Sequence, residues 1–324
     1  MMSARSLFLL LTLAACPLTP ATAATPALAE FSAMLDRQWD YDKPAESEQR
    51  FRAELARWPV GDPQALIVAT QIARTQGLRR QFAEAQATLD AVAARLDGAP
   101  SLVRARYLLE RGRTFNSSGA PERAVPLFIE ALSLAECNDD AFYAVDAAHM
   151  LGIAAPAAGR LDWNLKAVAM TERTADVRTR RWLASLYNNI GQTYLEQADY
   201  ALALDYFRKA LPAWEARGNA GNVRVAKWMI ARAERSLGLL DDAEKIQRAL
   251  LGEYDTLGET DPYVYEELAE IALARGDPAS AKPWAAKAHA ALKDDPGLQS
   301  GEPARLARLA QVAAGATPPA LAKP

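Results

Sequence analysis

Six small residues recur along the chain at nearly constant spacing: Ala73, Gly112, Gly152, Gly191, Ala231 and Ala269. The steps between them are 39, 40, 39, 40 and 38 residues, and a weaker copy at Leu35 lies 38 residues before the first. Twelve residues after each stands a second position, which reads Ser47, Ala85, Ala124, Asn164, Ala203, Ala243 and Ala281. Five of these seven are alanine, and Asn164 is the clearest departure. The stretch from Tyr187 to Leu211 shows what the spacing means. It reads as two amphipathic helices separated at Gln197, Ala198 and Asp199. Gly191, Ala203 and Ala210 fall where the helices touch, and Tyr187, Ile190, Tyr194 and Phe207 lie a turn or two away. Such a helix pair cannot bury its apolar faces alone and must stack on copies of itself, so the pattern predicts an all-α repeat array.

The turns give an independent check. Seven residues after the small residue, four copies carry glycine: Gly119, Gly159, Gly238 and Gly276. Glycine there suits the left-handed conformation that ends a helix. Pro121 and Pro278 follow two residues later, where proline fits a first helical turn, and Asp277 is placed as an N-cap. Three prolines are awkward. Pro156 falls late in the first helix of its pair, and Pro126 and Pro283 fall five residues into second helices, where each should bend the helix.

The Gly191 repeat, and the Gly112 repeat LLERGRTFNSSGAPERAVPLFIEAL, resemble the tetratricopeptide repeat. The long period is similar to the longer-helix subclass found in kinesin light chains and bacterial regulators. The resemblance covers residues 64–292 well and 28–58 poorly. It implies a right-handed superhelical solenoid of about six to seven helix hairpins. Residues 25–63 form a degenerate first repeat, 64–292 the main array, 293–314 a capping helix, and 315–324 a Pro/Ala-rich tail expected to be disordered. In that family the first helix of each pair (helix A) lines a concave groove. The groove positions carry Arg74 and Arg113 towards one end, Asn188 and Gln192 in the middle, and Trp228 and Arg232 beyond them; Glu266 and Glu270 follow. Amide side chains can pair with the backbone of an extended peptide, arginines can grip a carboxylate at two points, and a tryptophan can cover an apolar side chain. The resemblance therefore implies a protein or peptide segment as partner. Thr70 and Leu109 stand where a chaperone-tail clamp would carry lysine, which argues against that ligand. A plainer reading pairs Arg232 and Arg235 with Glu266 and Glu270, and packs Trp228 between repeats.

Nothing in the chain points to catalysis. HExxH, GxSxG, phosphate-loop and dinucleotide motifs are missing, and the two histidines, His149 and His289, fall on different repeats. No cofactor or metal is expected. The net charge of −3 gives no basic field for nucleic acid. Residues 1–24 read as an export signal, with Arg5 before the apolar run from Leu7 to Ala15, which is too short to span a bilayer. Leu13-Ala14-Ala15-Cys16 resembles a bacterial lipobox that would lipidate Cys16, while Ala21-Thr22-Ala23 and Thr22-Ala23-Ala24 offer ordinary cleavage. Either route exports the chain to the periplasm. The expected function is a non-enzymatic binding scaffold in the bacterial cell envelope. The alternative is a ligand-sensing input subunit with a separate output protein.

Overall fold

The computed structural model describes residues 24–318, so the expected export signal up to residue 23, Cys16 and the last six residues lie outside the described part. The chain divides between Trp182 and Leu183 into two compact units. The first contains α1 (Pro26–Asp36), α2 (Pro44–Leu55), α3 (Pro63–Leu78), α4 (Phe82–Ala93), α5 (Ser101–Ser117), α6 (Pro121–Cys137), α7 (Ala141–Ala154), α8 (Ala157–Glu172) and the short α9 (Val177–Arg180). The second contains α10 (Leu183–Glu196), α11 (Tyr200–Glu215), α12 (Ala220–Ser236), α13 (Leu240–Leu257), α14 (Pro262–Ala274), α15 (Pro278–Leu292), α16 (Pro296–Gly301) and α17 (Pro303–Ala313). Consecutive helices pack as hairpins, α3 with α4, α5 with α6 and α7 with α8 in the first unit. In the second unit the pairs are α10 with α11, α12 with α13 and α14 with α15. All described regular structure is helical.

Local chemistry starts these helices where the sequence has them. Asp62, Asp140, Asp199, Asn219, Asp261 and Asp277 each cap the following helix, accepting a backbone N–H two or three residues ahead. This satisfies donors that the helix cannot use internally. Proline occupies the first turn of α3, α6, α14 and α15, where its missing N–H costs nothing.

The close approach within each hairpin explains why some repeats carry glycine and others alanine. In α10 a Cβ on Gly191 would lie 2.6 Å from two ring carbons of Phe207 on α11. The same relation holds between Gly112 and Phe128, sixteen residues on, whereas Ala73 packs near the smaller Leu89. Phe207 is wholly buried and cannot withdraw. Replacing Gly191 with alanine should gain about 1 kcal/mol of helix propensity but lose about 3 kcal/mol to overpacking, a net loss of roughly 2 kcal/mol. A urea titration checks this, and adding Phe207→Leu should recover most of the loss. Asn164 follows the same logic. It is fully buried, its Nδ2 donates to the carbonyls of Gly152 (3.2 Å) and Arg160 (2.9 Å), and only glycine at 152 leaves it room.

The left-handed turn recurs at five of the six expected positions: Arg80, Gly119, Ala198, Gly238 and Gly276. In each, the next residue's N–H closes onto the carbonyl five residues back, as in Asp199 to Tyr194 at 2.9 Å. Gly159 is the exception. Pro156 cannot continue α7, which stops at Ala154; Pro156 instead stands immediately before α8, and Gly159 becomes part of its first turn. Two of the five positions are not glycine and bear a steric cost of about 1 kcal/mol each. Ala198→Gly should therefore raise stability by roughly that amount, despite the looser unfolded chain, and a thermal melt would show it.

Pro126 and Pro283 do lie inside α6 and α15, and Pro212 inside α11 is a third case. At the start of the chain, α1 packs on α3. Ser47, on the weak first repeat, is fully buried because its hydroxyl ties both backbone groups of Asp40 at 2.9 Å. At the far end, α17 lies against α15 and buries Leu309 and Val312 with Leu292 and Leu298.

Candidate functional site

The helix-A face of the first unit is filled by its own charges. Glu110 Oε1 accepts hydrogen bonds from Arg74 at 3.1 Å and Arg113 at 2.8 Å, and Arg113 continues to Asp146. A second cluster adjoins it: Arg106 donates to Asp36 at 2.9 Å, and Arg178 also reaches Asp36 while stacking on Phe142 with its guanidinium 3.4 Å from the ring centre. Burial raises the Asp36 carboxyl, but Arg106 and Arg178 more than offset this and hold it below its ordinary value. Between these clusters remains a cavity of about 100 Å³, bordered by Tyr41, Gln71, Leu109 and Trp182 as well as the charged groups.

Two of the expected groove residues, Arg74 and Arg113, therefore already grip carboxylates of neighbouring helices, and an incoming anion would have to displace Glu110 or Asp146. His149 sits in the same network with its ring 4.9 Å from that of Trp182. Burial, joined by the positive fields of Arg113 and Arg74, pushes the imidazole down to about 4 against the pull of Asp146.

The helix-A face of the second unit is more open. Asn188 and Gln192 lie on α10. The Asn188 Oδ1 is buried without a hydrogen-bond partner among the described residues, and Gln192 donates to Glu196 at 2.9 Å. Trp228 and Arg232, on α12, line a largely apolar cleft of about 240 Å³. Trp228 is locked there by donating its indole N–H to the carbonyl of Tyr263 at 3.2 Å, and the Arg232 guanidinium lies 5.5 Å from the indole centre. Val225, Tyr254, Tyr263 and Arg305 complete the walls.

The pairing read from sequence needs correcting. Arg235 grips Glu267 at 2.7 and 3.1 Å, and Arg232 approaches the same carboxylate only at 4.0 Å. Glu266 and Glu270 instead receive Arg305 and Arg308 from α17. Val225 was legible as the residue three before Trp228 on one helical stripe, and Tyr263 as its counterpart in the next repeat. Tyr254, on the second helix of a pair, and Arg305, beyond the repeats, carried no such signal. Among the described residues, no three His, Cys, Asp or Glu side chains are grouped to hold a metal ion, and no helix is long and apolar enough to cross a membrane.

Stacked hairpins with a small-residue seam and a left-handed stop define a helical-hairpin repeat protein. Residues 183–216 match the family model of the tetratricopeptide repeat, so the chain carries that repeat. No curated protein matches it. Among solved structures it is similar to the apo form of RapI, with a TM-score of 0.63 at 10% identity over 87% of this chain and 78% of that one. It is similar also to a Rap protein complexed with Competence and Sporulation Factor, with a TM-score of 0.55 at 14% identity over 87% and 84% of the two chains. A third is NprR in complex with its cognate peptide NprX, with a TM-score of 0.53 at 13% identity over 90% and 85%. At such identities the likeness is one of fold.

Proposed function

We propose that the chain is an exported, non-enzymatic scaffold that holds a protein or peptide segment on the helix-A face of its second unit. The observation that carries this reading is the cleft at Trp228 and Arg232. There a fixed aromatic wall and a half-exposed guanidinium stand side by side, and the neighbouring carboxylates are largely engaged elsewhere. Asn188 adds a buried carbonyl oxygen that lacks a donor. NprR, of the same fold, is bound to a peptide, which supports the reading by analogy. The first unit's face, closed by its own ion pairs, serves as support, so Arg74 and Arg113 act in this proposal as structural residues. Export rests on the pattern of residues 1–24, with Cys16 as the proposed lipidation site.

The test is capture from cross-linked bacterial envelope extract with residues 25–324 as bait, beside the same bait carrying Asn188→Ala and Arg232→Ala. A partner held by the first and lost by the folded second supports the face. A partner held equally by both moves the binding site elsewhere on the molecule. Labelling of the full chain with radioactive palmitate, compared with Cys16→Ser, tests the anchor.

A further inference from the structure

The cavity of the first unit keeps hydrogen-bonding capacity that its own ion pairs do not use. Arg74 donates through Nη1 to Oε1 of Glu110 at 3.1 Å, and Arg106 gives its Nη atoms to Asp36, Ser32 and Tyr143. The Nε atoms of both arginines are buried and have no hydrogen-bond partner among the described residues. Glu110 is in the same position. Its Oε1 accepts from Arg74 and Arg113, while its Oε2 is buried and accepts from none of the described residues. Arg106 and Glu110 have only 4% and 5% of their side chains exposed, so bulk solvent does not serve these atoms. Leaving a buried charged group short of a partner is costly. All three residues border the cavity of about 100 Å³.

The unused atoms describe what fits there. Two are donors, and one is an acceptor that carries negative charge. Around them Arg74, Arg106, Arg113 and Arg178 are balanced by Asp36, Glu110, Asp140 and Asp146. A lone anion or cation would upset that balance, and an anion would compete with Glu110 and Asp146 for the guanidinium groups. A zwitterion upsets nothing: its carboxylate meets the two Nε donors, and its ammonium meets Glu110 Oε2. Arg74 and Glu110 are already in contact, so the free donor of one and the free oxygen of the other lie close together. Such a separation suits charges that flank a single carbon. Size restricts the rest of the ligand. The space equals about three water molecules, far below that of ordinary ligand pockets. Leu109, Phe142 and Trp182 supply its apolar wall.

We propose that this cavity binds a small free α-amino acid, of the size of glycine or alanine, held by Arg74, Arg106 and Glu110. The site is separate from the peptide-holding face of the second unit and does not depend on it. Arg74 lies on α3, and Arg106 and Glu110 lie on α5, so the bound zwitterion ties two neighbouring hairpins together. Its hydrogen bonds are charge-assisted and shielded from solvent, which strengthens them. Because it binds the folded chain alone, it also stabilises the first unit.

Isothermal titration calorimetry on the full chain near neutral pH provides the test. Glycine and L-alanine are the ligands; acetate, methylammonium and L-phenylalanine are the comparisons. Glycine or L-alanine should bind at least about tenfold more tightly than acetate or methylammonium, each of which offers one of the two charged pairs. L-Phenylalanine, too large for the space, should not bind. Leu109→Phe, which fills the cavity without removing an ion pair, should abolish amino-acid binding while the circular dichroism spectrum stays unchanged. If that variant failed to fold, Arg74→Lys, which keeps a positive charge beside Glu110 but lacks the Nε donor, should still weaken the amino acid about tenfold. Acetate binding as tightly as L-alanine would overturn the zwitterion in favour of an anion site. L-Phenylalanine binding as tightly would overturn the assignment to this cavity. If neither amino acid gave heat nor raised the melting temperature at millimolar concentration, the proposal would fall, and the envelope capture would still decide the scaffold independently.

Discussion

Replacing Glu110 with glutamine is expected to destabilise the chain by about 2–3 kcal/mol, because it leaves two partly buried cations without their shared counter-charge, Arg74 with 22% of its side chain exposed and Arg113 still paired with Asp146. Glu110 has 5% of its side chain exposed, and Arg113 14%; both arginines donate to the same Glu110 oxygen. The neutral amide keeps the shape of the side chain but not the charge. The loss should appear as a lower urea midpoint with an unchanged slope. The cause can be separated from the site by replacing the network as a whole. Arg74→Met, Glu110→Leu, Arg113→Met and Asp146→Leu together should recover most of the stability, since well-packed apolar groups commonly match a buried ion network. If the fourfold variant were as unstable as the single one, uncompensated charge would not be the reason. The network would then matter through its shape.

Acid should weaken the first unit over a defined window, and His149 is the reason. Its folded value of about 4 lies below the ordinary 6.5, so between these limits the unfolded chain binds a proton that the folded chain refuses. Stability then rises with pH through the window and is lost as pH falls from about 6.5 towards 4. The shift corresponds to a contribution on the order of 3 kcal/mol. Asp140, raised by burial, works in the opposite direction, and Asp36, held low by Arg106 and Arg178 despite its burial, yields its contribution only at more acid pH. Urea midpoints at pH 7 and pH 5 should therefore differ markedly in the natural chain. The difference should shrink in His149→Gln, which keeps polarity without titrating. An undiminished difference in that variant would move the acid sensitivity to another group.

Much of the fold was legible because the repeat is set by steric contact. All six internal small residues are fully or almost fully buried, and glycine appears at 112 and 191 because phenylalanine follows sixteen residues later. Spacing alone carries that information. It does not carry the non-glycine left-handed turns at Arg80 and Ala198, whose geometry is imposed by the packing of the helices they join. Ion-pair partners were legible only in kind. The frame places Arg235 within reach of several carboxylates on α14, and the choice of Glu267 depends on side-chain directions that a period of 38–40 residues cannot encode. The candidate cleft was half visible. Val225, Trp228 and Arg232 follow one another at three- and four-residue steps along α12. Tyr254 and Arg305 arrive from elements that the frame regards as outside the groove.

The two pairs that join α17 to α14 also bear on how far such a chain can be extended. Arg305 and Arg308 each grip a carboxylate with two nitrogens, at Glu266 and Glu270. Stacked hairpins present at their end a surface shaped to receive another hairpin, the head-to-tail geometry from which open fibres grow. Here the acidic side chains that a further hairpin would meet are already occupied, and apolar residues of α15 are covered by Leu309 and Val312. The last described helix thus covers the surface on which a further hairpin would stack, held there by four charged side chains as well as by the apolar contact of Leu309 and Val312.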